Sequence, residues 1–223
     1  MFNSEGLYGV KGVIFDCYKT LIDIRTDEGD LRTYEPISKW LMYHGINISP
    51  QDLMNEYKWR CHEYLNNSGE WHRELKVEEI FRAICRHHAS WPINDATVGI
   101  DAARLFRAAS VRRLKPFPQS IRLLEKLKGY PLGIVSNGQR VFSEIELRQL
   151  GLYSYFNFVL FSSDLGYKKP DSRIFMAGAG HLGLLPHEIL YIGDSWDKDI
   201  HPSRGIGMKA MHIEDAWRYF GVT

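Results

Sequence analysis

Beyond residue 114 the chain alternates short, unbroken apolar runs with segments of helical period. Pro131–Ser136 (PLGIVS), Phe156–Ser162 (FNFVLFS), Ile189–Gly193 (ILYIG) and Met208–Ile213 (MKAMHI) are each bounded by turn residues. A similar run, Val10–Asp16, stands near the start. Runs that do not alternate with polar positions suit strands buried on both faces, as in a parallel sheet. Between them, Ser120–Leu127, Val141–Leu150, Ser172–Leu182 and Asp197–Gly205 carry helical spacing, and the first two end just before Gly129 and Gly151. Strand alternating with helix predicts an α/β doubly wound parallel sheet.

The stretch from Ile24 to Arg113 reads differently. Leu31–His44, a helix opening at Ser49-Pro50, Val77–His88 and Ala96–Leu114 are all helical patterns, and no strand is convincing among them. The expected organisation is therefore an α/β core of residues 1–23 and 114–223, interrupted by a helical cap of residues 24–113. Trp40, Trp59, Trp71 and Trp91 all lie in the insertion and are expected mostly in its core or interface, some of them lining a pocket against the α/β part. Ligands of open α/β sheets bind beyond the carboxyl ends of the strands, so an insertion after the first strand would cover such a site.

Composition narrows the choice. The chain has 223 residues, with 28 Lys+Arg against 27 Asp+Glu. That balance offers no bulk surface for nucleic acid or membrane. Cys17, Cys61 and Cys85 follow no metal-ligand spacing, and an odd, sparse count suits a reducing compartment. The first residues, MFNSEGLYGVKG, have no signal-peptide apolar region, and no apolar run reaches membrane length. A cytoplasmic protein acting on a small molecule is expected, with oligomeric state left open.

Chemistry-bearing residues gather at the ends of the expected strands. Asp16 closes the first; Ser136-Asn137-Gly138 closes the second; Lys168-Lys169-Pro170-Asp171 follows the third; Gly193-Asp194-Ser195-Trp196-Asp197-Lys198-Asp199 follows the fourth. Taken singly, each reads as a turn, a helix cap or a solvated loop. Taken together they supply carboxylates from separate strands, an anion cradle and a cation. A hard divalent metal and a phosphate-like substrate need that set.

These four segments, FDCYKTL, VSNG, KKPD and GDSWDKD, resemble the motifs of the haloacid dehalogenase superfamily, and the likeness extends over about 130 residues. The insertion sits where that family carries a helical cap of the first type. The resemblance implies a Rossmann-like core and a hydrolase working through an aspartyl intermediate. It makes Asp16 the nucleophile, with Asp16, the Tyr18 carbonyl and Asp194 holding Mg²⁺. It gives Thr20 a supporting role, makes Ser136 and Asn137 binders of substrate oxygens, and sets Lys169 beside the nucleophile with Asp199 orienting it or the metal.

Phosphatases of the superfamily usually carry a second Asp two residues after the nucleophile, as general acid and base. Tyr18 stands there, and D-x-Y-x-T-L resembles the 2-haloacid dehalogenase branch, where halide leaves without a proton. Arg60 is a loose match to that branch's substrate-binding arginine; its plain alternative is a solvated helical charge. Asp194 argues the other way, because the dehalogenase branch needs no metal and replaces this acid. Phe175 also stands where that branch is expected to have Tyr. Lys19 replaces the usual Gly. The expected function is a Mg²⁺-dependent phosphatase of small phosphorylated metabolites, against a metal-independent 2-haloacid dehalogenase or a catalytically weak binder of phosphorylated ligands or a partner.

Overall fold

The structure, a computed structural model, describes residues 7–67 and 69–222. Residues 1–6, part of the expected first core segment, lie outside it. The core sheet has five parallel strands in the order β5–β4–β1–β6–β7. They are β1 (Gly12–Phe15), β4 (Leu132–Ser136), β5 (Phe158–Phe161), β6 (Ile189–Gly193) and β7 (Lys209–His212). All residues of β1, β4 and β6 are buried. Helices α5 (Pro118–Leu127), α6 (Arg140–Gln149), α7 (Ser162–Leu165), α8 (Ser172–Leu182), α9 (His201–Gly205) and α10 (Ile213–Tyr219) connect and flank these strands. Two apolar layers cover the sheet. One gathers Phe15, Leu123, Ile134 and Ile192; the other gathers Ile14, Val135, Phe175 and Tyr191. Alternate residues of each strand thus enter opposite layers, which is why the strand sequences are apolar without a break.

The pairing Phe15↔Ile134 and Phe15↔Ile192 brings the carboxyl ends of β1, β4 and β6 level. The chain runs outward from β1 in both directions, through β4 to β5 and through β6 to β7. This is the switch point of a doubly wound sheet, where the connecting loops part and leave a crevice.

Among its described residues, the segment expected as the cap holds four helices: α1 (Leu31–Met42), α2 (Pro50–Asn66), α3 (Val77–His88) and α4 (Asp95–Ser110). Ser49 caps α2, accepting from the Asp52 amide at 3.1 Å, with Pro50 in the first turn, as the sequence predicts. Tyr34, Phe81 and Phe106 fill the cap core together with the partly buried Tyr57; the Tyr57 and Phe81 rings stack at 5.2 Å. The tryptophans depart from expectation. Trp59, Trp71 and Trp91 are 57%, 94% and 58% exposed, and only Trp40 packs partly against the cap core. Trp59, though exposed, lines a groove between α2 and residues 163–166, which fits the further expectation that some of these tryptophans line a pocket against the α/β part.

A strand pair that the periodicity did not suggest joins the two parts. Ile22–Thr26 (β2) pairs antiparallel with Val111–Pro116 (β3). The helix expected through Leu114 stops at Ser110. In VRRLKP, Val111 and Leu114 are half-buried while Arg112, Arg113 and Lys115 face water, too short an alternation to outweigh the helical pattern before it. The ribbon straddles both expected cap boundaries. Among the described residues, no helix is long and apolar enough to cross a membrane.

Cap helix α4 is pinned to core helix α6 by a buried ion pair. Arg107 Nε donates to Glu146 Oε1 at 2.6 Å and its Nη2 to Oε2 at 3.2 Å; the two residues are 8% and 6% exposed. The guanidinium also lies 4.6 Å from the Phe142 ring centre. Removing one partner of a buried pair strands the other charge, at about 3–5 kcal/mol, whereas exposed pairs are worth about 0–1 kcal/mol. Arg107→Ala should therefore lower stability by about 3 kcal/mol or more in urea denaturation, and Arg82→Ala by less than about 1 kcal/mol. The double variant Arg107→Met/Glu146→Leu should recover most of the loss. Equal losses for Arg107→Ala and Arg82→Ala would show that the pair does not hold the cap.

Candidate active site

Asp16 follows the last residue of β1, and its amide continues the sheet ladder by donating to the Ile192 carbonyl at 2.8 Å. Its carboxylate is 6% exposed. Oδ1 accepts from Ser136 Oγ at 2.8 Å and from Lys169 Nζ at 2.6 Å; Oδ2 receives a longer bond from Thr20 Oγ1 at 3.3 Å. Thr20 is held in turn by the Ser120 hydroxyl, which donates to its carbonyl at 2.6 Å.

Lys169 is 3% exposed, and its ammonium also donates to Asp199 Oδ1 at 2.5 Å and Tyr191 Oη at 3.0 Å. Its backbone is fixed by Asn137, whose side chain accepts from the Lys169 amide at 2.7 Å and donates to its carbonyl at 3.1 Å. Asn137 thus joins the loop after β4 to the loop before α8. Asp199 lies in a π-turn, Trp196–Ile200, and its Oδ2 accepts from the Ser195 amide at 3.0 Å. Asp194 leaves β6, and its carbonyl accepts from His212 Nε2 at 2.9 Å.

The electrostatics of this cluster are unbalanced. Burial raises the Asp16 pKa to about 6; Lys169 opposes the shift, while Asp199 and Asp194 reinforce it. Asp194 is raised too, by burial and by Asp199, against Lys169 and Lys19. Burial opposes the charge of Lys169, yet Asp16 and Asp199 together hold its ammonium above the ordinary range. Carboxylate oxygens of Asp16, Asp194 and Asp199 lie within 4.8 Å of one another. Three hard oxygen donors in one pocket fit Mg²⁺ by chemistry and spacing. Lys19 lines the same pocket with a left-handed backbone, φ 64°. A glycine would adopt that φ without the Cβ strain of about 1–2 kcal/mol. Among the described residues the lysine's side chain acts on the site through charge, opposing the upward shift of Asp194.

The carboxylates line a cavity of about 240 Å³ that shares Tyr18, Asn137, Lys169 and Lys198 with a larger one of about 490 Å³ beneath the cap. Tyr57, Leu75, Phe106 and Arg107 are its cap walls. Tyr18 does not aim its phenol at the carboxylates. Its hydroxyl lies 2.5 Å from Glu146 Oε2 and 2.7 Å from Ser143 Oγ, on α6. Burial pushes this phenol well above its ordinary pKa, and Glu146 adds to the shift.

Of the residues singled out from sequence, Asp16, Thr20, Ser136, Asn137, Lys169, Asp194 and Asp199 are gathered in this one pocket, with Tyr18 at its rim. Arg60 is not. Its guanidinium is engaged by Glu56 at 2.7 Å, and it lines a separate groove between the cap and residues 163–166. His87 and His88 also reach Glu56, at 3.3 and 2.6 Å, so this cluster is a tie between α2 and α3. Sequence reasoning missed Tyr191, Glu146, Ser143 and Arg107. A lone phenol in ILYIG was the available signal for Tyr191, which donates to the Val135 carbonyl at 2.8 Å and meets Phe175 edge-on at 5.0 Å. No local signal marked the others, because their partners lie far along the chain.

Comparison with known proteins agrees with the geometry. The haloacid dehalogenase-like hydrolase family model matches residues 10–207. A glyceraldehyde 3-phosphate phosphatase of Methanocaldococcus jannaschii is 28% identical over 92% of this chain and 85% of its own length. An (S)-2-haloacid dehalogenase 4A of Burkholderia cepacia is 26% identical over 84% of this chain and 77% of its own. The crystal structure of a 2-haloacid dehalogenase from Pseudomonas syringae shares the fold, with a TM-score of 0.63 at 22% identity over 90% of this chain and 85% of that one. With its strand-end aspartates, buried lysine and inserted helices, the chain belongs to the haloacid dehalogenase-like hydrolases.

Proposed function

We propose that this hydrolase is a Mg²⁺-dependent phosphatase of small phosphorylated metabolites, with Asp16 as its nucleophile. The observation that carries the reading is the clustering of three carboxylates, Asp16, Asp194 and Asp199, within 4.8 Å of one another, with the buried Lys169 ammonium bonded to two of them, Asp16 and Asp199. Carboxylates this close repel one another, and a divalent cation among them turns that repulsion into attraction. When bound, Mg²⁺ would keep Asp16 ionised and neutralise oxygens of the phosphoryl group; Asp16, Asp194 and the Tyr18 carbonyl would hold it.

Lys169 and Ser136 fix the plane of the Asp16 carboxylate for in-line attack on phosphorus, forming an aspartyl phosphate as the alcohol or acid departs. Ser136 and the Asn137 amide receive the remaining oxygens. Water then releases phosphate. Asp199 keeps the Lys169 ammonium turned toward Asp16. The small cavity beneath the cap limits the substrate to metabolite size. Similarity to the M. jannaschii phosphatase over most of both chains supports this substrate class.

A metal-independent dehalogenase is the second reading, favoured by Tyr18, whose phenol is bonded to α6 and so has no proton aimed at a leaving group. The retained Asp194 counts against it. A weak binding protein is the third.

Three outcomes are expected. Asp16→Asn should abolish turnover with the fold intact; a rate within about tenfold of wild type would remove Asp16 from the nucleophile's role.

Activity should require Mg²⁺. Because Asp16 keeps its proton up to about pH 6 in the metal-free pocket, protons compete with the cation below that value. Titration calorimetry should show Mg²⁺ affinity nearly constant from about pH 7.5 to 6.5 and falling below about pH 6, approaching about tenfold per unit at lower pH for one proton. Full activity on a 2-haloacid after exhaustive chelation, with no phosphate-ester hydrolysis on restoring Mg²⁺, would select the dehalogenase instead.

Finally, the enzyme should be sensitive to its leaving group. A positioned general acid contributes about 10²–10⁴-fold, and the buried Tyr18 phenol does not supply it. Aryl and acyl phosphates should be cleaved faster than alkyl phosphates, and Tyr18→Asp should gain on alkyl esters. A flat profile across esters graded by leaving-group pKa, with chemistry rate-limiting, would contradict this.

A further inference from the structure

Gln139 follows the Ser136–Asn137–Gly138 loop and precedes α6, yet its carboxamide does not cap that helix. It reaches across to the cap. Oε1 accepts from the Val77 amide at 3.0 Å, and Nε2 donates to the Leu75 carbonyl at 3.0 Å and to Glu74 Oε1 at 3.3 Å. An amide donor on one side and a carbonyl on the other fix which end of the carboxamide faces which. Gln139 therefore caps the first turn of α3, where Lys76 gives no side-chain cap.

Glu74 closes a ring. Its Oε2 accepts from Ser162 Oγ at 2.7 Å, and Ser162 Oγ in turn accepts from the Gly138 amide at 3.0 Å. The Glu74 amide donates to the Gly166 carbonyl at 2.9 Å, and Lys168 donates to the His72 carbonyl at 2.8 Å. Gly138, Ser162, Glu74 and Gln139 thus form one circuit containing the backbone of the anion-binding loop and the cap linker before α3. The same linker is bonded to the segment leading into Lys169. None of these groups touches Asp16, and the mechanism above does not use them.

We propose that Gln139 and Glu74 are positioning residues that register the seating of the cap on the Ser136–Gly138 loop, so that the loop holds its substrate-binding shape only when the cap is closed over it. This rests on the reading of Ser136 and Asn137 as binders of the phosphoryl oxygens. When only a fraction of molecules are binding-competent, apparent affinity falls by that fraction, while bound substrate reselects the closed form. Loss of the tie should thus act on KM more than on kcat.

The test uses the full chain with Mg²⁺ and p-nitrophenyl phosphate. Gln139→Ala should raise KM about tenfold, with kcat changed less than about threefold. Gln139→Glu should raise KM further, since it removes both donors and sets a carboxylate against Glu74. Adding Glu74→Gln to it should bring KM back toward wild type, because a carboxamide at 74 can donate to a carboxylate at 139. Hydrogen exchange supplies a readout independent of turnover: amides of residues 74–78 should exchange at least about fivefold faster in Gln139→Ala, with other cap segments unchanged. An active wild type with unaltered KM and exchange in Gln139→Ala would overturn the proposal. So would a fall in kcat as large as the rise in KM, without rescue in the double variant. A wild type inactive on phosphate esters would instead defeat the phosphatase reading. Exchange would then decide alone, with faster exchange at 74–78 supporting the tie and unchanged exchange overturning it.

Discussion

The structure depends on keeping one ammonium charged in a buried place. Lys169 is nearly inaccessible, and moving an ion out of water costs several kcal/mol even after relaxation. Three bonds offset that cost, to Asp16, Asp199 and Tyr191. Each partner comes from a different part of the sheet: Asp16 from the end of β1, Tyr191 from within β6, Asp199 from the π-turn after it. The loop after β4 fixes the lysine's backbone through Asn137. The fold's central strands are thus tied at their carboxyl ends by the group that pairs with Asp16. The compensation is partial, since the pKa of Asp16 stands well above a free carboxylate's. Burial is the main cause of that rise, with Asp199 and Asp194 adding to it, and the closeness of the three carboxylates is the physical argument for a cation.

Legibility followed the range of the interactions. The five core strands and most helices were readable because burial on both faces of a parallel sheet, or on one face of a helix, is written in consecutive residues. The strand-end aspartates, Ser136 and Lys169 were readable because they sit beside those runs. β3 was not. Six residues of weak alternation after a strong helix carry little local signal, and the strand exists through its pairing with β2 about ninety positions earlier. Arg60 misled for a related reason: a helical arginine looks the same whether it faces a substrate or, as here, a glutamate one turn back. The exposed Trp59, Trp71 and Trp91 show that aromatic content does not say which residues a small core has room for.

Tyr18 shows how one substitution reorganises its neighbourhood. A carboxylate at this position would bring another negative charge toward Asp16, Asp194 and Asp199. A phenol adds none, and its hydroxyl finds Ser143 and Glu146 on α6. Glu146 is in turn held by Arg107 of the cap. Tyr18 thus belongs to a chain of contacts joining the loop after β1, the core and α4. Its hydroxyl is therefore committed to α6 and not aimed at the strand-end carboxylates.

Two hydrogen-bonded seams therefore bracket the cavity beneath the cap. Arg107, Glu146 and Tyr18 tie α4 to the nucleophile loop; Gln139, Glu74 and Ser162 tie the linker before α3 to the anion loop. The first is a buried ion pair, strong but intolerant of displacement. The second is a ring of part-buried hydrogen bonds, each worth about 0.5–1.5 kcal/mol and each replaceable by water when opened. A cap held this way should open on the side of Glu74 while remaining anchored at Arg107, with the β2–β3 ribbon following. On the proposed reading of Ser136 and Asn137, closure on that side would complete the loop that receives the substrate's oxygens and exclude water in the same movement.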